Sequence, residues 1–447
     1  MATKKQKKKA INTAKKVAKK NPTILIVFVV LVLLIGGVGA ALYFSGALDK
    51  WINRTNGEPT QTSQSGSSSQ AIEVNGDVQI YSIEMRDEYG DALFIKYGDY
   101  DILIDSGNYG DAEFVRNFVD NNISSDKNLD LLIVTHCHGD HLGGITNNEI
   151  KALDNVKSIS NIVDFGHSRS NSPMYKSYKE IREKYISGGA KYYSAYESVK
   201  HIDGLENKIV FADLSIEILD TFNYANKDDD LISTSTNQIP YNEYSIATLI
   251  TYKNTKLFCA GDLEDVGEKS LIEHSDETSL KNVKKEDTVI YKACHHGTDV
   301  GTANNKSTGY KSTDGGNRMA LLKLLNPDYC FVSSAITQSD HPYPRAVATM
   351  LYFTDKLYFN GTNGTLCFNL DGTNIGVTGA AATTNYKLDG FEIDYQAEKN
   401  LIYTETVWYK NHIFTGSKSW YKGDIANPTD KDLTEWYLGE LRKVYGA

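Results

Sequence analysis

The chain has few of the residues that mark several common protein classes. Only 5 of its 447 residues are cysteine and 8 are proline. The cysteines are odd in number and none forms a CxxC pair, so a disulfide framework is not expected. With 40% hydrophobic and 23% charged residues, the composition also excludes a wholly disordered or collagen-like chain. An ordinary folded protein is expected.

Positive charge is scarce outside the N-terminus. Residues 1–20 hold nine lysines and no acidic residue, which leaves 38 Lys and Arg against 57 Asp and Glu in the rest of the chain. Nucleic-acid binding draws much of its affinity from Lys and Arg on phosphates. A binder that is basic along its whole length is therefore excluded.

One long apolar segment follows the lysines. Residues 23–44 are 22 consecutive residues without a charge, and as a helix they would span about 33 Å, enough to cross a bilayer core. The lysines before the segment and Asp49 after it predict a single-pass protein of the cell membrane, with its N-terminus cytoplasmic and the long remainder of the chain extracellular. The alternative is a signal peptide cleaved near residues 38–40.

Composition divides the chain into five segments. Residues 1–22 are predicted to be a basic cytoplasmic tail and 23–44 a transmembrane helix. Residues 45–71, rich in Ser, Thr, Gly and Gln, are predicted to be a flexible linker. Residues 72–380 alternate strand and helix patterns, which predicts an α+β fold with packed sheets covered by helices. Residues 381–447 are a small accessory region of unknown role.

The accessory region contains two strand-like runs, 401–409 and 413–414, followed by a helical pattern over 433–444. We therefore expect a β-rich unit that packs on the larger domain. Its tryptophans, Trp408, Trp420 and Trp436, form either its core or a surface that binds sugar or cell-wall polymer.

A cluster of metal-binding residue types follows the apolar strand Leu131–Val134. His136, His138, Asp140 and His141 lie within six residues, at H-x-H-x-D-H spacing. Imidazole and carboxylate groups suit zinc, and also iron or manganese. We predict a metal site here.

Seven motifs, in order, resemble those of the metallo-β-lactamase-fold hydrolases. More narrowly, they resemble the hydrolase domain of ComEC-type DNA-uptake (competence) proteins over about residues 77–380. The motifs are Gly90-Asp91-Ala92, Leu103–Gly107 (LIDSG), residues 135–144 (THCHGDHLGG), Asn242–Ser245 (NEYS), Ala260–Glu264 (AGDLE), Cys294–Thr298 (CHHGT) and His341–Pro344 (HPYP).

The resemblance implies an αββα sandwich that binds two divalent metal ions, zinc or manganese. Asp105 would support the metal loop, and Asp262 would bridge the ions. One ion would be held by His136, His138 and Asp262. The other would be held by Asp140, His141 and Asp262 with either His295 or His296, and the histidine left over would meet a substrate oxyanion.

One ligand of the wider superfamily is missing from the first site. Many members have a further histidine after the strand represented here by Ser215–Leu219, where this chain has Asp220. The first site therefore has an open position, or His167 supplies the ligand. Cys137, between two ligands, is expected to pack rather than coordinate. His201, His274 and His412 are expected on the surface.

Two ions about 3.5–4 Å apart would supply hydroxide at neutral pH and stabilise developing charge. The catalytic residues are expected to be Asp140, His295 and His341, with His341 as acid or phosphate clamp on a proline-stiffened turn. The chain has no P-loop or GxGxxG motif, so no nucleotide cofactor is expected.

The expected function is a membrane-anchored, extracellular phosphodiesterase or nuclease, acting on a polymer such as DNA or teichoic acid. The alternatives are a teichoic-acid or phosphocholine esterase, a β-lactam or lactone hydrolase, and a non-catalytic surface-binding module. Five basic residues between Lys176 and Lys191 alternate with tyrosines. These tyrosines either stack on bases or enclose a quaternary ammonium group, or they pack inward.

Overall fold

The computed structural model describes residues 77–86, 88–166, 172–224, 241–298, 317–338, 340–379, 387–388, 391–392 and 401–446. All of them lie in one compact unit, 72–447. The predicted tail, transmembrane segment 23–44 and linker 45–71 lie outside the described residues. Within these ranges, no helix combines the length and apolarity that a membrane span requires.

The strands fall mostly where the sequence pattern predicts them. In chain order they are β1 (Val78–Ser82), β2 (Leu93–Tyr97), β3 (Tyr100–Ile104), β4 (Asn128–Leu129), β5 (Leu131–Val134), β6 (Ser158–Ile159), β7 (Asn161–Asp164), β8 (Lys191–Ser194), β9 (Lys208–Phe211), β10 (Leu214–Leu219), β11 (Ala247–Tyr252), β12 (Thr255–Cys259), β13 (Thr288–Lys292), β14 (Tyr329–Val332), β15 (Leu357–Phe359), β16 (Leu366–Leu370), β17 (Ile375–Gly379), β18 (Lys387–Leu388) and β19 (Phe391–Glu392).

Two large sheets contain most of these strands. The first has the order β17-β16-β1-β2-β3-β5-β7-β8, and the second has the order β15-β14-β13-β12-β11-β10-β9. Apolar side chains from both sheets form one buried cluster, in which Ile95 and Ile133 of the first sheet join Ile216 and Leu257 of the second. The sheets therefore pack face to face, as expected for two layers that each bury one face.

The helices cover the two outer faces. They are α1 (Ala112–Asn122), α2 (Gly139–Thr146), α3 (Pro173–Ser187), α4 (Ala195–Val199), α5 (Asp265–Glu273), α6 (Asn317–Leu325), α7 (Pro344–Leu351), α8 (Asn360–Asn363), α9 (Val407–Asn411) and α10 (Asp430–Tyr445). Helices α1, α2 and α3 pack on the first sheet, and α5, α6, α7 and α9 pack on the second. This arrangement confirms the expected sandwich of two sheets between helices.

Strand direction brings the polar motifs together. Strands β3, β5, β7 and β8 are parallel, and so are β12, β13, β14 and β15. The carboxyl ends of parallel strands meet at one edge of a sheet. Asp105, the His136–His141 loop, Asp262 and the pair His295-His296 each follow one of these strands. These polar residues from both sheets therefore meet at one edge of the sandwich.

The accessory region differs from the expectation. The run 401–409 forms a 3-10 turn, Tyr403–Glu405, and helix α9, and residues 413–414 form no strand. Thr406 caps α9 by accepting a hydrogen bond from the backbone N–H of Tyr409, and this local bond overrides the strand-like alternation. The helix predicted over 433–444 is confirmed within α10.

The accessory region shares the core of the second sheet. Trp408 is buried, and its ring lies 5.4 Å from that of Phe359 on β15. Tyr437 and Leu441 of α10 pack with Ala348 of α7. Trp408 therefore belongs to the core and not to a polymer-binding surface.

Candidate metal centre

Four ligand atoms converge between the two sheets. Atoms of Asp140, His141, Asp262 and His296 all lie within 4.8 Å of one another, and all four residues are buried. Nε2 of His141 is 3.0 Å from Oδ1 of Asp262, and Nε2 of His296 is 3.2 Å from the same oxygen. Of the two candidate histidines, His296 is therefore the one that joins this cluster, which we call cluster B.

A second cluster lies beside the first. Atoms of His136, His138 and Asp262 also lie within 4.8 Å of one another, and we call them cluster A. Nε2 of His136 is 3.0 Å from Nδ1 of His138 and 3.7 Å from Oδ2 of Asp262. Asp262 thus presents one carboxylate oxygen to each cluster.

The outward nitrogens of two cluster B histidines are held by the protein. Nδ1 of His141 donates to Oδ2 of Asp105 at 2.8 Å, and Nδ1 of His296 donates to the carbonyl of Ser333 at 3.0 Å. Asp105 also accepts from the backbone N–H and the hydroxyl of Thr135. Metal-binding histidines usually have such partners, which fix the ring and direct the other nitrogen toward the ion.

The electrostatics of cluster B favour a cation. Burial lowers the pKa of His141, but Asp262, Asp140 and Asp105 raise it well above its usual value. The pKa of His296 is raised to about 9 by Asp262 and Asp91, again against burial. Burial raises the pKa of Asp140, yet His141 and His296 hold it well below its usual range. The carboxylates therefore attract positive charge, which a metal ion can supply in place of protons.

Orphaned polar atoms also fit a metal ion. Nε2 of His141 and Oδ1 of Asp262 are buried and have no hydrogen-bond partner among the described residues. Buried polar atoms are normally satisfied. Imidazole nitrogens and carboxylate oxygens at these positions make a donor set that suits a divalent ion such as zinc or manganese.

The ligand loops are held by close backbone packing. Gly261 has a positive φ of 51°, and a Cβ atom there would lie 2.6 Å from Oγ1 of Thr135. His295 and His296 also have positive φ values of 47° and 53°. Non-glycine residues rarely adopt this conformation, and it is concentrated at functional sites. The planes of the two adjacent imidazole rings lie at 70° to each other.

A buried lysine, Lys292, contacts residues next to the metal ligands. Nζ of Lys292, at the end of β13, forms an ion pair with Asp91 and donates to the carbonyl of Gly261 at 3.2 Å. Asp91 approaches His141 and His296 at 3.8 and 3.6 Å. Burial lowers the pKa of Lys292, but Asp91 raises it above the ordinary value, so the amine stays charged. Sequence reasoning missed this residue, although it is the charged end of an otherwise uncharged strand.

His295 lies on the other side of Asp262. Its Nδ1 is 2.9 Å from Oε1 of Glu264, and its Nε2 is 3.7 Å from Oδ2 of Asp262. Its side chain is 20% exposed, whereas that of His296 is fully buried. The two adjacent histidines therefore point to different parts of the site.

His341 lies near both His295 and His296. Its ring lies 6.2 Å from those of both His295 and His296, and Tyr89 lies 4.9 Å from it. Nδ1 of His341 donates to Oδ1 of Asp340 at 2.9 Å. Burial lowers the pKa of His341, and Asp340 offsets this only in part. The structure thus places the predicted acid near the metal ligands, together with Tyr89, a residue that no sequence motif indicated.

The other histidines and Cys137 are accounted for, with one correction. His201 is exposed, as expected, and the side chain of His274 is 37% exposed. His412 is not on the surface, because its ring stacks on Trp408 at 4.1 Å and pairs with the buried Asp430. Cys137 is buried in an apolar cluster, as expected. The candidate ligand His167 lies outside the described residues.

The tyrosines of α3 pack inward, whereas Lys176, Lys184 and Lys191 around it are exposed. Tyr175, Tyr178 and Tyr185 are buried. Arg182 donates to Asp164 at 2.9 Å beneath the helix. These tyrosines are therefore unavailable for stacking on bases.

Residues 85–285 match the sequence model of the family described as the Metallo-beta-lactamase superfamily. This part of the chain therefore has the fold of that superfamily. The matched segment includes both clusters except His296, and it excludes His295 and His341. No curated protein matches the chain.

Solved structures with a similar fold are only distantly related in sequence. A metallo-beta-lactamase fold protein, YhfI from Bacillus subtilis, is 12% identical, with a TM-score of 0.34 over 63% of this chain and 95% of that one. A diphosphatase of the PhnP family is 10% identical, with a TM-score of 0.30 over 57% of this chain and 86% of its own. The short form of human tRNase Z is 10% identical, with a TM-score of 0.30 over 57% and 92%.

Proposed function

We propose that this chain, whose residues 85–285 have the metallo-β-lactamase fold, is a two-metal hydrolase that cleaves phosphodiester bonds. One observation carries the proposal. Oδ1 of Asp262 faces His141 and His296, while its Oδ2 faces His136. A carboxylate shared in this way would contribute one oxygen to each of two ions.

When bound, two such ions activate water and stabilise the attacking and leaving oxygens of an in-line displacement. The residues of the chain hold and orient this centre. His136, His138 and Asp262 would hold one ion, and Asp140, His141, Asp262 and His296 the other. Asp105 keeps the His141 ring in place through Nδ1.

His341 is suited to the leaving-group side of the reaction. Asp340 keeps a proton on Nδ1 of His341, which leaves Nε2 to exchange a proton with the substrate. An anionic phosphate bound beside the ring favours the protonated form, since a nearby opposite charge stabilises it. The imidazole then binds the phosphate and protonates the leaving oxygen. Tyr89 packs against its face and restricts the ring.

The polymer that carries the phosphodiester is a separate question. The resemblance to ComEC-type proteins favours DNA. The excess of acidic residues outside the first 20 residues disfavours nonspecific electrostatic binding of DNA. The tyrosines of α3 are buried, so they do not offer a surface for base stacking. A teichoic acid, or its phosphocholine decoration, is the alternative substrate.

We also propose that residues 23–44 anchor the protein in the cell membrane, with the metal centre outside the cell. The support is the uncharged run itself and the nine lysines that precede it. Protease treatment of intact cells tests this placement. Degradation of the catalytic unit in unbroken cells supports it, and protection until the membrane is broken contradicts it.

A substrate panel tests the hydrolase proposal. The full-length chain is loaded with zinc or manganese and incubated with bis-p-nitrophenyl phosphate, plasmid DNA, single-stranded DNA, teichoic acid and nitrocefin. We expect phosphodiester cleavage that the Asp262→Ala variant lacks. Cleavage of nitrocefin alone, or metal binding without turnover of any phosphodiester, would contradict the proposal.

A further inference from the structure

His295 does not belong to cluster B, and its surroundings resemble those of the metal-facing histidines. His141 and His296 each direct Nδ1 at an oxygen of the protein and Nε2 at Asp262. Nδ1 of His295 lies 2.9 Å from Oε1 of Glu264, without the alignment of a hydrogen bond, and its Nε2 faces Asp262 at 3.7 Å. A carboxylate on the outward nitrogen is a common feature of histidines that ligate metals.

His295 lies beside Asp262 on the side of cluster A, although it is outside the 4.8 Å separation that defines that cluster. Its Nε2 is 3.7 Å from Oδ2 of Asp262, and Nε2 of His136 is 3.7 Å from the same oxygen. Two ligands on one tetrahedral zinc ion, each about 2.0–2.1 Å from it, lie roughly 3.3–3.4 Å apart. The observed separations are close to this value. His295 thus approaches the oxygen of Asp262 that serves cluster A, whereas His296 approaches the oxygen that serves cluster B.

Glu264 is itself held in place. Asn242 donates from Nδ2 to Oε1 of Glu264 at 2.8 Å, the same oxygen that contacts His295. From the same turn, Ser245 accepts the backbone N–H of Asp262 at 3.2 Å. The Asn242–Ser245 motif therefore fixes the residue that orients His295 and the residue that both clusters share.

The turn after β10 contributes no ligand to cluster A among the described residues. After β10, Asp220 pairs with Lys200 at 2.7 Å and accepts the backbone N–H of Phe222. Its carboxylate is thus engaged away from cluster A. Among the described residues, cluster A consists of two histidines and one carboxylate oxygen, which is one protein ligand short of a closed four-ligand zinc site.

We infer that His295 is the additional ligand of the metal ion at cluster A, oriented by Glu264, so that the adjacent histidines His295 and His296 serve different ions. The inference rests on the proposed two-metal function and deepens it. It replaces the expectation that one of the two histidines is left for a substrate oxyanion.

Metal binding measured without turnover tests the inference. The full-length chain is stripped with a chelator and titrated with Co²⁺, with stoichiometry and affinity read by calorimetry. The visible absorption of Co²⁺ reports coordination number, because four-coordinate ions absorb more strongly than six-coordinate ions. His295→Ala and Glu264→Gln are compared with His274→Ala. His274 makes a similar pair with Glu277, at 2.8 Å, on the protein surface.

We expect the unaltered chain to bind two Co²⁺ ions. His295→Ala should keep one ion at unchanged affinity and bind the other at least about 10-fold more weakly, with loss of part of the absorption. Glu264→Gln should change the same ion in the same direction but by less, and His274→Ala should change nothing.

Two results would overturn the inference. If His295→Ala binds two ions with unaltered affinity and absorption, His295 holds no metal, and a loss of turnover in that variant would then identify a substrate contact within an intact two-metal hydrolase. If the unaltered chain binds no Co²⁺, the proposed function fails as well. The two failures are therefore distinguishable.

Discussion

Oδ1 of Asp262 lies 3.0 Å from Nε2 of His141, but the two atoms are not aligned as a hydrogen bond, and neither makes one elsewhere in the described part of the chain. The other oxygen of the same carboxylate faces His136 at 3.7 Å. One side chain at the end of β12 therefore connects ligands that follow β5 in one sheet with ligands that follow β13 in the other. This relationship is the basis of the two-metal proposal.

The first prediction concerns Asp105, which orients His141. In Asp105→Asn the amide is a weaker acceptor for the Nδ1–H of His141, so the ring loses its orientation and basicity. We expect the affinity of the cluster B ion to fall by about 10–100-fold, measured by competition with a chromogenic chelator.

Asp101→Asn is the matched control. Asp101, within β3, is also buried, but its carboxylate pairs with Lys96 at 2.8 Å and accepts the backbone N–H of Ser124. Its replacement should leave the metal affinity of the folded protein unchanged. Equal affinities of the Asp105→Asn protein and the unaltered protein would contradict the role of Asp105.

The second prediction separates His341 from the metal ligands. His341→Gln removes the acid but no ligand, so turnover of a phosphodiester should fall by about 100-fold or more while both ions stay bound. His201→Gln is the control, because His201 is exposed and its Nδ1 contacts sequence neighbours, the carbonyl of Leu205 and, at 3.9 Å, Glu206. Loss of a metal ion from His341→Gln, or unchanged turnover, would count against this assignment.

The third prediction concerns Lys292. Lys292→Met leaves Asp91 buried without its cation, which should lower the free energy of unfolding by about 3–5 kcal/mol. Urea unfolding in the presence of chelator measures the change without a contribution from bound metal. The double variant Lys292→Met with Asp91→Asn should recover part of the loss. A single variant as stable as the unaltered chain would show that the ion pair contributes nothing.

The fourth prediction tests the C-terminal region. Because Trp408 is buried against Phe359 and Tyr403, Trp408→Ala should lower the free energy of unfolding by about 3–5 kcal/mol. Val407→Ala, at an exposed neighbouring position, should change it little. Weaker binding of wall polymer by Trp408→Ala without a loss of stability would instead support a polymer-binding surface.

Strands and ligand types were predictable from the sequence because both depend on local patterns. The all-apolar run Leu131–Val134 is a buried strand, and the H-x-H-x-D-H spacing follows it directly. The residues that hold the ligands were less predictable. The role of Glu264 depends on a contact with His295, 31 positions away, and that of Lys292 on a contact with Asp91. Neither contact leaves a periodic signal.

The sequence alone could not predict that His295 and His296 approach different oxygens of Asp262. Adjacent residues in a regular element have fixed relative directions, but here both have positive φ. Their rings separate only because β13 ends in this irregular turn. The helical C-terminal segment was mispredicted for a related reason, since a side-chain cap at Thr406 starts α9 where the residue pattern suggests a strand.

Turnover measured against metal equivalents tests the central claim most directly. The full-length chain is stripped of metal, and its hydrolysis of bis-p-nitrophenyl phosphate is followed as Zn²⁺ or Mn²⁺ is added. The shared position of Asp262 predicts that activity rises as the second equivalent binds, and that Asp262→Asn shows neither the second ion nor the activity. Full activity with one ion, or no activity with two ions bound, would contradict the two-metal account.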